Sequence, residues 1–310
     1  MSFASELKDE LCRRAPEEEP FLHALLYGFL LFSRKFSAEE IGFSVAHEPT
    51  AHLFAECLAV HCGISAKISF HERVRGTLYH VSIDNAADRK RLLAAFYHSE
   101  REPHLRINRA NLENEESFPY FMRGAYLVCG SISDPQKDYH LEFDITRMNL
   151  CRDLATLIGE VLEEPKISMR RGVHVIYYKE SENIEDMLTY MGAYVSSMNM
   201  MNVKIVKEVR NKVNRQLNCE NANQDKALDA GIQQASDIRL IYKEKGRMWL
   251  SDELRAVADI RLENPDLTLR EIGKLLEPNL SRSGVNHRLQ RLHALAEDLR
   301  RKKQPPEENR

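Results

Sequence analysis

An internal repeat limits this chain more than any other feature. Lys67-Ile68-Ser69 returns as Lys166-Ile167-Ser168, 99 residues on. Gly42-Phe43-Ser44-Val45 is echoed by Glu142-Phe143-Asp144-Ile145 at an offset of 100, and Leu26-Tyr27-Gly28-Phe29 by Met122-Arg123-Gly124-Ala125 at 96. Each match alone carries nothing. Three of them in one order, at nearly one offset, indicate a duplicated domain.

Hydrophobic periodicity gives both copies the same plan. The first copy is predicted as a helix near 21–34, a strand near 40–46, and a helix from Pro49 to His61 that Gly63 ends. Strands at 65–71 and 77–83 turn at Gly76, and a helix covers 86–97. The second copy is predicted as a helix at 119–130, a strand at 138–145 and a helix at 148–163. Strands at 166–170 and 173–179 turn at Arg171-Gly172, and a helix covers 182–191. Each half therefore reads helix, strand, helix, hairpin, helix. Residues 100–117 read as a polar, acidic connecting loop with room for a short helix.

A length of 310 residues leaves room for a second domain, since domains average about 150 residues. The longest apolar stretch, Phe21 to Phe32, is too short for the ~20 residues of a membrane span and reads as a buried helix. The acidic opening Met1 to Glu10 has no apolar core of a signal peptide. A cytoplasmic protein with no membrane contact is the expectation. A net charge of −3 and a pI near 6.5 exclude a uniformly basic coat. They leave local basic patches open. The six cysteines contain no C-x-x-C pair. Cys57 and Cys62, with His52 and His61 near, leave a zinc site open, but the spacing fits reduced, buried thiols better. No cofactor is expected.

After residue 196 the character changes. Val203 to Leu217 carries Lys204, Lys207, Arg210, Lys212 and Arg215 against Glu208 alone. It reads either as a solvated linker helix or as an arm that contacts phosphates, Arg210 and Arg215 among its contacts. From Asp225 a helix to Lys245 is predicted, with Leu228, Ile232, Ala235, Ile238 and Tyr242 on its buried face. Ser251 caps a helix to Glu263 with Leu254, Val257, Ala258 and Leu262 inward. Thr268 caps a short helix to Leu276, and Glu271 completes a capping box. Leu269, Ile272, Leu275 and Leu276 are its expected buried face. After the turn Glu277-Pro278-Asn279-Leu280, Ser281 caps a helix to about Arg300.

Two short helices joined by a few residues are the helix-turn-helix arrangement, whose second helix enters the major groove. In that helix Val285, Leu289, Leu292, Ala296 and Leu299 repeat at helical spacing and must face inward. Ser283, Asn286, His287 and Gln290 are left outward, with Arg282 at the helix entry. Asn and Gln suit adenine, and Arg suits guanine. Arg288 and Arg291 suit phosphates. Thr268 joins this set at the start of the first helix. From Ser281 to Lys303 seven basic residues face two acidic ones, and the run Arg300 to Lys303 adds non-specific affinity. The plainer alternative is a helical hairpin with a solvated polar face.

Two copies of this plan, each opening on a glycine-bearing apolar helix, resemble the LAGLIDADG homing-endonuclease fold. In that family the two motif helices pack at a pseudo-two-fold axis, and an acid near the end of each holds the divalent metal that activates water. Aligning Gly28 and Gly124 with the motif glycine puts Ser33 and Cys129 at the acid positions. Neither is a ligand for Mg²⁺, which takes carboxylate oxygens. Asp134 is left as a displaced acid or as part of the Ser133-Asp134-Pro135 turn. Joined to the helix-turn-helix, this degenerate repeat resembles the WhiA sporulation and cell-division regulators of Gram-positive bacteria. The resemblance rests on Met1 to Lys8, on Arg123 to Pro135 with Tyr139-His-Leu-Glu142, on Val209 to Arg215 with Asn218-Cys219 and Ala222-Asn223, and on Ser281 to Leu289. The first motif helix departs from the family pattern at Ser33-Arg34-Lys35.

The resemblance implies a DNA-binding transcriptional regulator of cell division, chromosome segregation or sporulation, not an enzyme. Its implied partners are double-stranded promoter DNA and a protein such as an iron–sulfur regulator or RNA polymerase. The expected fold is α+β: a pseudo-two-fold duplicated LAGLIDADG-like α/β domain followed by an all-α helix-turn-helix domain. The expected boundaries are 1–195 (repeats about 20–100 and 118–195), a basic linker at 196–224, the helix-turn-helix domain at 225–303 and a polar tail at 304–310. Two alternatives stand beside this reading. One is a protein-interaction platform in cell division, and the other is an active endonuclease, which needs carboxylates at the ends of the motif helices.

Overall fold

A computed structural model describes residues 2–13, 15–74, 76–100 and 104–303 of the chain. The expected tail at 304–310 lies outside the described residues. The contacts divide the chain into two compact units, Met1–Glu208 and Val209–Arg310.

The first unit opens with α1 (Phe3–Cys12) and α2 (Glu19–Phe32), followed by β1 (Lys35–Phe36), β2 (Ile41–Val45), α3 (Glu48–Cys62), β3 (Lys67–Arg73), β4 (Gly76–Ser82) and α4 (Ala86–Ala95). The second copy runs α5 (Phe118–Cys129), β5 (Gly130–Ile132), β6 (Leu141–Ile145), α6 (Met148–Val161), β7 (Lys166–Arg170), β8 (Val173–Tyr178) and α7 (Ser181–Tyr190). Each copy folds its strands into an antiparallel four-stranded sheet, in the orders β1-β2-β4-β3 and β5-β6-β8-β7. Lys67 and Lys166 open the equivalent strands β3 and β7, so the weak sequence matches fall on equivalent positions.

Two strands and one α-helix of the first unit escape the sequence reading. β1 and β5 have two and three residues, too few to show a period of two. In α1 the buried residues are Leu7 and Leu11, a stripe too thin to stand out.

The two copies meet along α2 and α5. All residues from Ala24 to Phe32 are buried, as the apolar stretch predicts. A Cβ added at Gly28 would lie 2.2 Å from the Phe121 carbonyl oxygen, and one at Gly124 would lie 2.2 Å from the Leu25 carbonyl oxygen. The two backbones touch, and only glycine on both sides allows it. The departure at Ser33-Arg34-Lys35 therefore leaves this packing intact. Ser33 ends α2, its hydroxyl donating to the carbonyls of Leu30 (2.6 Å) and Lys35 (3.0 Å).

A chain of polar contacts crosses the first copy. Asn111 Nδ2 donates to the Phe96 carbonyl at 2.9 Å, which leaves its Oδ1 to accept from His23 Nε2 at 3.0 Å. His23 Nδ1 must then accept from His61 Nε2 at 2.9 Å. Burial, reinforced by His23, lowers the pKa of His61. Burial also lowers that of His47 against the pull of Asp9. The unfolded chain takes up protons as pH falls through about 6.5, and these folded histidines resist, so they withdraw stability on acidification. The midpoint of chemical unfolding of the first unit is expected to fall between pH 7 and 5.5. His61→Gln should flatten that fall. A variant as acid-sensitive as the parent would contradict this assignment.

The second unit contains the later part of α8 (Tyr194–Lys245), then α9 (Asp252–Glu263), α10 (Leu269–Leu275) and α11 (Arg282–Lys303). The helix predicted from Asp225 is thus the end of a longer one. The unit packs around Ile238, Ile241, Leu254, Val257, Ile272, Leu289 and their neighbours. Three expected core residues are exposed instead: Leu228 (43%), Ile232 (54%) and Leu275 (57%). Within the second unit the buried stripe of α8 begins at Gly231 and continues through Ala235, Ile238 and Ile241, which leaves Leu228 and Ile232 to one side. In α10 the helix ends at Leu275, and the extended Leu276 turns inward in its place.

A buried carboxylate ties α8 to α11. Asp237 accepts from Gln233 Nε2 (3.1 Å), His293 Nδ1 (2.6 Å) and the Arg300 guanidinium. Charged hydrogen bonds contribute about 1.5–3 kcal/mol each, but His293 and Arg300 regain water when released. Asp237→Ala is expected to lower the stability of this unit by about 2 kcal/mol. Denaturant unfolding followed through Trp249, the chain's single tryptophan, would measure it, and an unchanged midpoint would contradict the assignment. Among the described residues no helix is long and apolar enough to cross a membrane.

Candidate nucleic-acid interface

The helix pair α10 and α11 is held by local rules. Thr268 and Glu271 form the expected capping box: Glu271 accepts from the Thr268 backbone N–H at 2.8 Å and from its hydroxyl at 2.7 Å. The Leu280 N–H donates to the Gly273 carbonyl at 2.9 Å and closes the turn between the helices. The Ser281 hydroxyl accepts from the Gly284 N–H at 3.2 Å, at the start of α11. Val285, Leu289, Leu292 and Ala296 are buried against the core, with Leu299 half-buried.

That orientation decides what the opposite face presents. Arg282, Ser283, Asn286, His287, Gln290 and Arg291 are all exposed. They form a continuous strip of donors and acceptors along the first half of α11. Arg288 is turned away from this strip. It is half-buried and reaches Glu253 of α9 at 3.4 Å. Arg300 is likewise held by Asp237 and Glu297, so it stands apart from the basic run expected at the end of the helix.

Thr268, Arg282 and Asn286 come together at a groove of about 870 Å³ in the second unit. Its other wall is α8, with Asn223, Lys226 and Gln234. Lys226, Arg270 and Arg261 of this groove were not legible as site residues, because each sits on a different element and no spacing links them. Arg210 and Arg215 are exposed on α8 and do not line the groove.

The ends of the motif helices in the first unit offer little chemistry for cleavage. Ser33 is buried, its hydroxyl engaged with backbone carbonyls. Cys129 ends α5, and burial pushes its thiol far up, only partly offset by Lys8. The Lys8 ammonium donates to the Leu127 carbonyl at 3.4 Å, and burial lowers its pKa. Asp134 accepts from the Gln136 N–H at 2.9 Å and belongs to a turn that its carbonyl also closes. The carboxylates near this region, Glu142 and Asp144, lie on the same face of β6. Burial first, then Glu142, raises the Asp144 pKa, while Glu142 holds His140 at 2.8 Å and Arg170 at 3.2 Å. The residues weighed for zinc turn to separate partners: His52 to Glu48 and His61 to His23, while Cys57 is buried. Among the described residues no group of three or more His, Cys, Asp or Glu is placed to hold a metal ion.

A duplicated LAGLIDADG-like domain followed by a helix-turn-helix domain defines the class of this protein. Residues 118–210 match the family model of the WhiA LAGLIDADG-like domain, and residues 213–296 match that of the WhiA C-terminal HTH domain. A probable cell division protein WhiA from Clostridium botulinum (strain Eklund 17B / Type B) is 34% identical over 97% of this chain and 99% of its own. The corresponding protein of Clostridium tetani is 35% identical over 96% and 98%. The chain belongs to the WhiA family. The crystal structure of full-length WhiA from Thermatoga maritima shares the fold at a TM-score of 0.58 and 22% identity, covering 96% of this chain and 99% of that one.

Proposed function

We propose that this protein is a sequence-specific transcriptional regulator that binds double-stranded promoter DNA in cell division, chromosome segregation or sporulation, in the cytoplasm at the nucleoid. The observation that carries this reading is the exposed strip Arg282, Ser283, Asn286, His287, Gln290 and Arg291 on a helix whose other face is locked into the core. A helix so presented fits the major groove, and these side chain types read base edges. Arg210 and Arg215 are proposed as backbone contacts from α8. The LAGLIDADG-like domain is proposed to be a scaffold without nuclease activity, since Ser33 and Cys129 stand where metal-binding acids are needed.

The test is a selection from random duplexes with the full chain, then anisotropy titration of the enriched sequence against a scrambled one, with a Mg²⁺ cleavage lane. Preferential binding without cleavage is expected. Sequence-blind binding would remove the regulator reading, and nicked DNA would remove the inactive scaffold. A second role for the first unit is supported by Glu142 and Asp144 on β6 and by exposed Phe70 on β3 and Met169 on β7. Carboxylates repel phosphate and apolar tips suit protein, so this unit is proposed to face a protein partner such as an iron–sulfur regulator or RNA polymerase.

A further inference from the structure

The recognition strip does not explain the groove beside it. Four cations line that groove, Lys226, Arg261, Arg270 and Arg282, and no carboxylate does. Four arginines elsewhere in this unit are paired: Arg247 with Asp259, Arg255 with Asp252, Arg288 with Glu253 and Arg300 with Asp237. Among the described residues Lys226, Arg270 and Arg282 make no such pair.

Arg261 is the most telling of the four. It is only 2% exposed. Its Nη1 donates to the carbonyls of Pro265 (3.1 Å) and Leu267 (2.7 Å), while its Nε is buried without a partner. Oε1 of Gln234, on the α8 wall of the same groove, is also buried without a partner. Gly231 makes this arrangement possible: a Cβ there would lie 2.0 Å from the Pro265 carbonyl oxygen and 3.3 Å from Arg261 Nη1. The α9–α10 connection is therefore pressed against α8, with a guanidinium trapped beneath it. Asp266 is the one carboxylate that acts on it, and a buried cation with no direct ion pair favours the approach of a further anion.

The groove opens beside Arg282 and Asn286 in the first turns of α11. With α11 in the major groove, the strand bordering that groove runs past this opening. We propose that the groove holds a stretch of DNA sugar–phosphate backbone, with Lys226 and Arg270 contacting phosphates and Arg261 supplying the positive charge beneath them. This rests on the DNA-binding reading above and extends it. The interface then gains Lys226 of α8 and the start of α10, beyond Arg210 and Arg215, and these added contacts fix the position of α11 without reading sequence.

The test uses the full chain, the duplex enriched by the wild type and a scrambled duplex, titrated across a salt series. The Lys226→Gln/Arg270→Gln double variant is expected to bind both duplexes more weakly by the same factor. Its plot of log affinity against log salt should be shallower by about 0.9 per lost contact. Ala230→Glu, an exposed helical substitution that puts a carboxylate on the groove wall, should weaken both duplexes as well. Circular dichroism should show both variants folded. If the wild type binds and the variants keep its affinity and salt slope, the groove proposal is overturned and the DNA reading survives. If the wild type binds neither duplex, both fall together. Sodium tripolyphosphate serves as a separate probe. Saturable binding that the double variant loses, with DNA binding unaffected, would make this a site for a free polyphosphate and overturn the proposal.

Discussion

Gly124→Leu is expected to unfold the first unit or to destabilise it by at least about 3 kcal/mol. Overpacking usually costs about 1–3 kcal/mol because side chains yield. Here the obstacle is backbone: the Leu25 carbonyl oxygen at 2.2 Å and the Phe29 nitrogen at 3.0 Å from the added Cβ. Neither can move without shifting α2, whose buried faces pack against the rest of the unit. Gly159→Ala is the matched control. It lies exposed within α6, and its nearest atom to an added Cβ is 3.8 Å away, in Glu164. Alanine there should stabilise by about 0.5–1 kcal/mol through helix propensity. Thermal unfolding by circular dichroism, with Trp249 fluorescence reporting the second unit separately, would compare the two. Equal effects from both substitutions would show that the helix contact is looser than described.

The second large effect concerns sequence preference. In the Arg282→Ala/Asn286→Ala variant the enriched duplex is expected to lose its advantage over a scrambled one. A good bidentate base contact contributes about 1–3 kcal/mol of discrimination, so losing two should weaken preference by roughly 30-fold or more. Binding to the scrambled duplex should persist at low salt, because Lys226, Arg270 and Arg291 remain. Arg288→Gln should behave differently. That side chain reaches Glu253 at 3.4 Å, so its loss should touch stability and leave preference unchanged. If Arg288→Gln abolished preference while the double variant kept it, the orientation assigned to α11 would be wrong.

The duplication was legible because equivalent positions keep equivalent demands. Gly28 and Gly124 face each other, and Lys67 and Lys166 open matching strands. The capping box at Thr268 was legible because it is a rule among four consecutive residues. The groove was not, since it joins Lys226, Arg261, Arg270 and Arg282 from separate elements. Arg261 was hidden further by its type. An arginine in the last turn of a helix reads as solvent-facing, but this one turns back onto the carbonyls of Asn264, Pro265 and Leu267 just beyond it. Leu228 and Ile232 show the reverse error. Their spacing matches a buried face, but Gly231 places the contact beside them.

The pairing of α2 with α5 also sets an order of events at the ribosome. Gly28 and Gly124 are 96 residues apart in the chain. At translation rates of about 5–20 residues per second, α2 leaves the exit tunnel roughly 5–20 s before its partner exists. During that interval the face of α2 that takes α5 has no mate within its own chain. Two nascent copies side by side on one message would offer each other the same glycine-centred surface. Faithful folding of this domain thus depends on keeping the first half apart from its neighbours until the second half arrives.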